Sequence, residues 1–349
     1  MNPIAMAVKL YDHYESMEEV KHYFGLLAIY GLAQAAEASG DAATWERCRA
    51  ILRRFPDQVE HPRYNTASYA IGGIPKAYLL WRGRMPEAEP QVRAYAEEAM
   101  RAPRDPQGII KNPYRPDENL IWIDLAMAVT PYLLFAGLAL DEPRYIDEAV
   151  RQTLSMVEVF LDPANGLLHQ CRNFTGPGLI STDHWGRGNG WGHIALAELA
   201  LHLPADSPHR PAAERAFRDH ALALLPYQSP GGLWRQELAM PDAWEESSGT
   251  ALILYGYGIG LRTGLLASSA FRPAFERGIA ALNQRCINAD FSTELSCPGC
   301  LCPGEGSEKG TPEAYVRLRQ PTHDEHHSYG PFMLALVEAY RNGITDVPR

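Results

Sequence analysis

The sequence lacks the long biased stretches that separate domains or carry a chain across a membrane. No Ser/Gly/Pro-rich or single-sign charge run divides the 349 residues, so we expect one domain over residues 1–349. The uncharged run over residues 125–140 contains Pro131 and is shorter than the roughly 20 residues of a membrane span. This run therefore predicts a buried helix.

Positive charge and a secretion signal are also missing. The net charge of -10 disfavours nucleic acid and anionic membranes as partners, because both require a basic surface. It still permits a small anionic ligand held by a local arginine. The first twenty residues carry Lys9 inside their apolar stretch and show no small-residue cleavage site, so we expect a cytoplasmic protein.

Cysteine is sparse, with six residues in the whole chain, which does not predict a disulfide framework. Cys297, Cys300 and Cys302 form a CxxCxC cluster with three histidines downstream, over residues 323–327. A structural zinc and a plain loop are both open interpretations. The absence of a second CxxC favours the loop, and we expect neither a metal nor a cofactor.

Two kinds of helical segment alternate along the chain. One kind is apolar on nearly every face, which predicts burial on every side. Its members start near Gly25, Ala67, Ile121, Gly188, Gly249 and Tyr329. The other kind is amphipathic, and its members start near Pro3, Thr44, Glu89, Pro143, Pro208 and Phe271. Six inner and six outer helices predict an all-α double ring, an (α/α)6 six-hairpin barrel.

A helical solenoid is the rival fold, but solenoids require a nearly fixed period, and the inner segments are unequally spaced. Several outer segments are followed by a turn and a short extended piece, at residues 105–113, 162–170 and 229–236. These connections should gather where the inner helices begin. That end of the ring is the expected mouth of a pocket.

Asp124 is the best candidate for a catalytic group. It is the one charged residue between 120 and 140, in a segment that predicts a buried helix. Burial of a carboxylate is costly and raises its pKa, which is how enzymes make a general acid that keeps its proton near neutrality. A structural aspartate that bonds a neighbouring helix is the alternative.

Other polar and aromatic residues should line the same mouth. The segment DHWGRGNGW places Trp185, Arg187 and Trp191 at the start of an inner helix, a set that suits a sugar ring bearing a carboxylate. A nucleotide loop is excluded there, since no strand precedes it and the GxGxxG spacing is absent. The further candidates are His169 in its extended piece, Trp244 and Glu246 before the fifth inner helix, and His326 before the last.

The sequence resembles the unsaturated rhamnogalacturonyl and unsaturated glucuronyl hydrolases of glycoside hydrolase families 105 and 88. The segments IWIDLAMAVTPYL, YIDEAVRQTL, DPANGLLHQ, HWGRGNGW and WEESSGTALILYGYGIGLRTGLL match successive family blocks in order. The resemblance implies an α/α barrel glycosidase. It also implies a reaction in which the C4=C5 double bond of a terminal unsaturated uronate is hydrated, and the resulting hemiketal opens and expels the remaining sugar.

The resemblance implies that Asp124 is the acid and later the base. It also implies that Trp122, His169, Trp185, Arg187 and Trp191 contact the substrate, a small anionic unsaturated oligosaccharide. The family commonly has a second aspartate at the start of the second inner helix, where this chain offers Asn65. Asparagine can bond a sugar hydroxyl but cannot take a proton. We expect a monomer or a homodimer.

Three other functions are compatible with the same residues. A cofactor-independent sugar epimerase would use paired histidines, for which His169, His193 and His326 are the candidates. A non-catalytic carbohydrate-binding barrel would bind without turnover. An ordinary inverting glycosidase would need two separated carboxylates, and Asp124 with Glu246 or Asp183 is the pair to test.

Overall fold

The computed structural model describes residues 1–17, 20, 22–55, 67–112 and 115–347. In chain order the helices are α1 (Pro3–Met17), α2 (Tyr23–Ser39), α3 (Ala42–Leu52), α4 (Gly73–Trp81), α5 (Glu89–Arg101), α6 (Asp124–Leu140), α7 (Pro143–Phe160), α8 (Gly186–His202), α9 (Arg210–Leu224), α10 (Ser247–Thr263), α11 (Ser268–Cys286), α12 (Pro312–Leu318) and α13 (Tyr329–Arg341). The strands are β1 (Ile121–Trp122), β2 (Cys171–Arg172), β3 (Trp234–Arg235) and β4 (Glu245–Glu246). The predicted all-α class is confirmed.

Six helices close an inner ring. Each of α2, α4, α6, α8, α10 and α13 packs against the next, and α13 packs back on α2. This closure makes the molecule an (α/α)6 barrel and rules out the open superhelix of a solenoid. Among the described residues, no helix combines the length and apolar character needed to cross a membrane.

The outer helices cover this ring, with α1 on α13, α3 on α2, α5 and α7 on α6, α9 on α8 and α11 on α10. Burial follows the two kinds of sequence pattern. In α8 every residue from 186 to 200 is buried, whereas in α5 only Val92 and Ala96 are buried. Each buried Leu or Ile side chain contributes roughly 1.5–3 kcal/mol, so the inner ring supplies most of the apolar core.

Two inner helices begin later than the sequence pattern predicted. The segment from Ala67 starts with a 3-10 turn, Ala67–Ile71, and α4 begins only at Gly73. The positive φ angles of Gly72 and Gly73, 106° and 52°, separate the turn from the helix. The segment from Ile121 starts with β1, so α6 begins at Asp124. There the pairing of β1 with β2 overrides helical propensity, as tertiary contacts commonly do.

The connections after the outer helices form a repeated small hairpin. Antiparallel bridges join Arg104 to Ile110, Leu161 to Leu168 and Gln228 to Trp234, which confirms the turns with extended pieces. A fourth such bridge, between Ile287 and Thr293, was not predicted. It opens the long connection of residues 287–328, which includes α12 and which we call the roof segment.

Candidate active site

The starts of α6, α8 and α10 meet at one end of the barrel. Pairing of Trp122 with Cys171, and a hydrogen bond from the Ile123 amide to the Gln170 carbonyl (2.8 Å), join the start of α6 to the hairpin before α8. The starts of α8 and α10 are in direct contact. A Cβ on Gly249 would lie 2.7 Å from the backbone nitrogen of Arg187, so only glycine permits this approach.

Asp124 belongs to the predicted inner helix and is the first residue of α6, so it lies at the N-terminal end of that helix. The residue is partly exposed, but its Oδ2 atom is buried and has no hydrogen-bond partner among the described residues. Burial raises the pKa of Asp124 from 3.8 to about 6. Three smaller effects oppose this rise: a hydrogen bond from its own backbone amide, the positive charge of Arg187 and a hydrogen bond from Gln170. Asp124 is therefore an acid that holds its proton in weakly acidic solution.

Two neighbouring residues, Gln170 and Asp183, change the pKa of the Asp124 carboxyl group. The backbone amide of Gln170 donates to Asp183 Oδ1 (3.4 Å), and the backbone amide of Trp185 donates to Asp183 Oδ2 (3.1 Å). Burial raises the pKa of Asp183, and its charge in turn raises the pKa of Asp124. The ring nitrogen Nδ1 of His169 lies 2.9 Å from the Asp183 carbonyl oxygen, which leaves Nε2 of this partly exposed histidine for other partners.

Arg187 is buried at the first turn of α8, with 1% of its surface exposed. Its Nη1 donates to Ser248 Oγ (3.1 Å) and to the carbonyl of Cys297, and its Nη2 donates to the carbonyl of Pro298 (2.8 Å). The guanidinium also lies 4.8 Å over the ring of Trp185. Arg187 therefore fastens the roof segment to α8 and α10.

The roof segment contacts the starts of α8 and α10 and the extended piece that carries Gln170. Besides its two bonds to Arg187, it receives a bond from Gln170 Nε2 to the Cys300 carbonyl (2.8 Å). The Cys297 amide donates to Glu246 Oε1 (3.0 Å), and the Ser247 amide donates to the Leu295 carbonyl (2.9 Å). This cover explains why Trp185 and Arg187 are buried.

A wall of aromatic rings lies beside Asp124. Tyr23 stacks on Tyr69 at 6.2 Å between ring centroids and meets Trp191 edge-on at 6.5 Å. Tyr23 is partly exposed, whereas Trp191 is 1% exposed. The charge of Asp124 raises the pKa of both tyrosines, in addition to the larger effect of burial. Carboxyl, guanidinium and aromatic groups thus share one mouth, a combination suited to an anionic sugar.

Three further candidates, Trp122, Trp244 and His326, are partly exposed. Trp122 is partly exposed and meets Phe174 edge-on. Trp244 is partly exposed, and its indole donates to the Arg319 carbonyl (3.0 Å). His326 is partly exposed and lies against Phe24, with ring centroids 5.4 Å apart.

The family is decided by comparison with known proteins. Residues 4–343 match Glycosyl Hydrolase Family 88, which is nearly the whole chain. The chain belongs to glycosyl hydrolase family 88. It is therefore a glycosidase, as the sequence predicted.

Named relatives and solved structures agree with this assignment. The chain is 25% identical over 236 residues to an unsaturated rhamnogalacturonyl hydrolase of Bacillus subtilis, covering 65% of this chain and 67% of the relative. It is 28% identical over 171 residues to an unsaturated 3S-rhamnoglycuronyl hydrolase of Formosa agariphila, covering 46% and 45%. Thus the second alignment spans under half of that relative.

Two solved structures share the fold. A family 105 glycoside hydrolase of C. acetobutylicum superposes with a TM-score of 0.82 at 21% identity, covering 96% of this chain and 99% of that one. An unsaturated glucuronyl hydrolase of Bacillus sp. GL1 superposes with a TM-score of 0.71 at 18% identity, covering 99% and 97%.

Several sequence expectations need correction in this family 88 member. Trp185, Arg187 and Trp191 were expected to be exposed at the first turn of α8, but the roof segment and neighbouring helices bury them. Glu246 is 1% exposed, and its oxygens accept from the amides of Ser248 and Gly249 at the N-terminus of α10. It is a helix cap, not a group facing the sugar.

The candidate histidines of an epimerase have different neighbours: the ring of His169 lies 4.8 Å from that of His184, and His193 lies in the core. His193 is 0% exposed and packs against Phe217, His220 and Tyr257 between α8 and its neighbours, away from His169. Asn65 lies outside the described residues.

The cysteine cluster does not gather a metal-binding set. Among the described residues, the one group of three ligand-type side chains whose atoms lie within 4.8 Å is Asp162, His169 and His184. These three could hold a metal ion. Cys297, Cys300 and Cys302 are buried thiols of the roof segment.

Sequence reasoning missed Tyr23, Gln170, Glu325 and His327. Tyr23 lies at the start of the first inner helix, just as Arg187 lies at the start of the fourth. The same reasoning that selected Arg187 could therefore have selected Tyr23. Glu325 and His327 belong to the HDEHH run, of which His326 alone was selected. Gln170 adjoins His169 but carries no charge, so no local pattern indicated its contact with Asp124.

Proposed function

We propose that this enzyme removes a terminal 4,5-unsaturated uronic acid from oligosaccharides released by polysaccharide lyases. The relatives named above act, by their names, on unsaturated rhamnogalacturonyl and rhamnoglycuronyl groups. The observation that carries the proposal is Asp124, a carboxyl group with a pKa of about 6 and a buried, unpartnered oxygen beside aromatic rings.

The reaction begins with proton transfer from Asp124 to C4 of the uronate. Positive charge then develops at C5 and the ring oxygen, and water adds at C5. The resulting hemiketal opens, and the remaining sugar leaves. General acid catalysis of this kind contributes typically 10²–10⁴-fold, and it requires a donor whose pKa lies near the working pH.

Substrate contacts are assigned by exposure. His169, Trp122, Trp244 and His326 are partly exposed and are proposed to touch the sugar. The buried candidates are proposed to position the site without touching the sugar; they are Trp185, Arg187, Trp191 and Glu246. Asn65 is proposed as a hydroxyl ligand on the basis of the family resemblance alone.

The substrate class follows from chemistry and from the named relatives. The aromatic side chains at the mouth suit a sugar ring, and unsaturated rhamnogalacturonan fragments are the first substrates to test. We further propose a single catalytic domain over residues 1–349, a cytoplasmic location, and a monomer or homodimer without a cofactor.

The test is a screen of lyase-generated unsaturated disaccharides, followed by loss of the conjugated ultraviolet absorbance. Wild type should consume at least one class. Asp124→Asn should lose at least about 10²-fold in kcat while KM changes little. No turnover of any unsaturated uronide would refute the function, and an active Asp124→Asn would refute the role of Asp124.

A further inference from the structure

Three side chains of metal-ligand type meet at the hairpin before α8. Asp162, His169 and His184 each place one ligand atom, a carboxylate oxygen or a ring nitrogen, within 4.8 Å of the other two. Asp162 Oδ2 lies 3.0 Å from His184 Nε2, and the two imidazole rings lie 4.8 Å apart between centroids. Asp162 and His169 are partly exposed, so an ion can reach the group from solvent.

The backbone of the hairpin fixes two of these residues relative to each other. The Asp162 amide donates to the Leu167 carbonyl (2.8 Å), and the His169 amide donates to the Phe160 carbonyl (2.9 Å). Asp162 and His169 therefore stand on one hydrogen-bonded unit, and only their side chains need to rotate to approach a common ion.

The contacts of His169 prepare it as a ligand. Its Nδ1 lies 2.9 Å from the carbonyl oxygen of Asp183. Because a carbonyl oxygen only accepts, Nδ1 carries the proton and Nε2 keeps a free lone pair. Metal-ligating histidines almost always donate their second ring N–H in this way, which fixes the tautomer and the orientation of the ring.

His184 has a buried carboxyl group on its far side. In the ion-free site its Nε2 donates to Asp162, and its Nδ1 lies 3.9 Å from Glu237 Oε1. Glu237 is 0% exposed, and its Oε2 has no hydrogen-bond partner among the described residues. A cation that replaces the proton between His184 and Asp162 would place the imidazole proton on Nδ1, facing Glu237. This is the carboxylate–histidine–metal arrangement.

The ligand types and their spacing fit zinc. Two imidazoles and one carboxylate, with a fourth position left for water, form a usual zinc set, whose ligand atoms lie about 3.4 Å apart in a tetrahedron. The present separations start at 3.0 Å and do not exceed 4.8 Å, so side-chain rotations of about an ångström close the set. Magnesium prefers oxygen ligands and fits this set poorly.

We propose that Asp162, His169 and His184 bind Zn²⁺ and that the bound ion inhibits turnover. The ion occupies Nε2 of His169, the ring nitrogen that is otherwise free for the sugar, so it competes with the substrate. Nε2 of His184 loses its proton and Nδ1 takes one up, so the imidazole stays neutral. Hydration itself needs no metal, so the ion is an inhibitor and not a cofactor. The inhibition rests on the proposed function, whereas the binding does not.

Isothermal titration of the untagged enzyme with Zn²⁺ measures the site without any substrate. Wild type should bind one equivalent, and Asp162→Asn and His184→Gln should each bind at least about 10-fold more weakly. Asp162→Asn keeps an oxygen acceptor for the Ala164 amide, and His184→Gln keeps a donor for Asp162, so both variants preserve local hydrogen bonds. His209→Gln alters an exposed histidine 3.1 Å from Asp147 and is the matched control, which should bind as wild type does.

Kinetics test the inhibition. Zn²⁺ should raise the apparent KM of wild type with little change in kcat, EDTA should reverse the effect, and Mg²⁺ should have none. Asp162→Asn and His184→Gln, each compared with its own zinc-free rate, should need at least about 10-fold more Zn²⁺ for the same effect.

The possible failures are distinguishable. The site is overturned if wild type binds no stoichiometric Zn²⁺, or if Asp162→Asn and His184→Gln bind it as tightly as wild type. The inhibition is overturned if bound Zn²⁺ leaves KM unchanged. If wild type turns over no unsaturated uronide, the proposed function fails, while the titration still reports on the zinc site.

Discussion

Gln170 hydrogen-bonds the carboxyl group of Asp124 and, through Nε2, also donates to the Cys300 carbonyl oxygen of the roof segment. Its Oε1 accepts from the Cys302 amide (3.2 Å) and from the Tyr315 hydroxyl. One neutral side chain thus connects the catalytic acid to the cover of the mouth. The ionisation of Asp124 and the position of the roof segment are expected to depend on each other.

Gln170→Leu should raise the pKa of Asp124 above its present value of about 6, because a hydrogen bond that favours the carboxylate is lost. Since Asp124 must be protonated to act, the alkaline limb of the kcat/KM profile should move to higher pH. Gln107→Leu, on an exposed turn, is the control and should leave the profile in place. An alkaline limb that stays in place or moves to lower pH would contradict the contact between Gln170 and Asp124.

Asp124→Asn should stabilise the fold at neutral pH. The folded-state pKa is raised from 3.8 to about 6, so the contribution of Asp124 to stability is fully present below about pH 4 and is lost as the pH rises through 6. The variant lacks this loss, so its free energy of unfolding should exceed that of wild type by about 1–3 kcal/mol at pH 7. At pH 3.5 this gain should be absent. Urea unfolding at both pH values measures the difference. A variant that is less stable at pH 7 would show that the carboxylate is not destabilising.

Arg187→Ala should destabilise the protein and loosen the roof segment. The carbonyls of Cys297 and Pro298 lose a charged donor, and breaking buried charged contacts costs about 3 kcal/mol. Urea unfolding and limited proteolysis within residues 287–328 measure the two effects, with exposed Arg215→Ala as control. Normal stability with a raised KM would mean instead that Arg187 serves the substrate carboxylate, as the sequence pattern first suggested.

Turnover should survive chelators. Hydration of an enol ether needs a proton donor, a base and an oriented sugar, and Asp124 supplies the donor. Asp162, His169 and His184 could together hold a metal ion, so the effect of chelators on turnover is a direct test. Activity after treatment with EDTA, with circular dichroism to monitor the fold, is the assay. Complete loss that a divalent metal reverses, with an intact fold, would overturn the expectation.

The architecture was accessible from sequence because burial leaves a local signature. Helices such as α8 and α10 are apolar nearly all round, whereas α7 begins at Pro143 and shows one solvated face, so the two rings separate along the chain. Asp124 was accessible for a related reason, since one charge in an apolar segment is conspicuous.

What the sequence could not provide depends on distant pairing. Helix α6 begins at Asp124 because Trp122 pairs with Cys171, almost fifty residues away. Arg187 is buried because Cys297 and Pro298, more than a hundred residues away, supply its acceptors. Glu246 was taken for a sugar contact, although its place before Ser248 and Gly249 also fits a helix cap. Local patterns do not distinguish these alternatives, because the deciding contacts are tertiary.

The central claim is hydration of the C4=C5 bond initiated by Asp124, and isotope incorporation tests it most directly. An unsaturated disaccharide consumed by the wild-type enzyme would be turned over in deuterated water and in heavy-oxygen water, and the products analysed by NMR and mass spectrometry. Hydration initiated by Asp124 should place solvent deuterium at C4 and water oxygen at C5 of the released uronate. Oxygen found only at the anomeric carbon, with no deuterium at C4, would mean direct glycosidic hydrolysis and would contradict it.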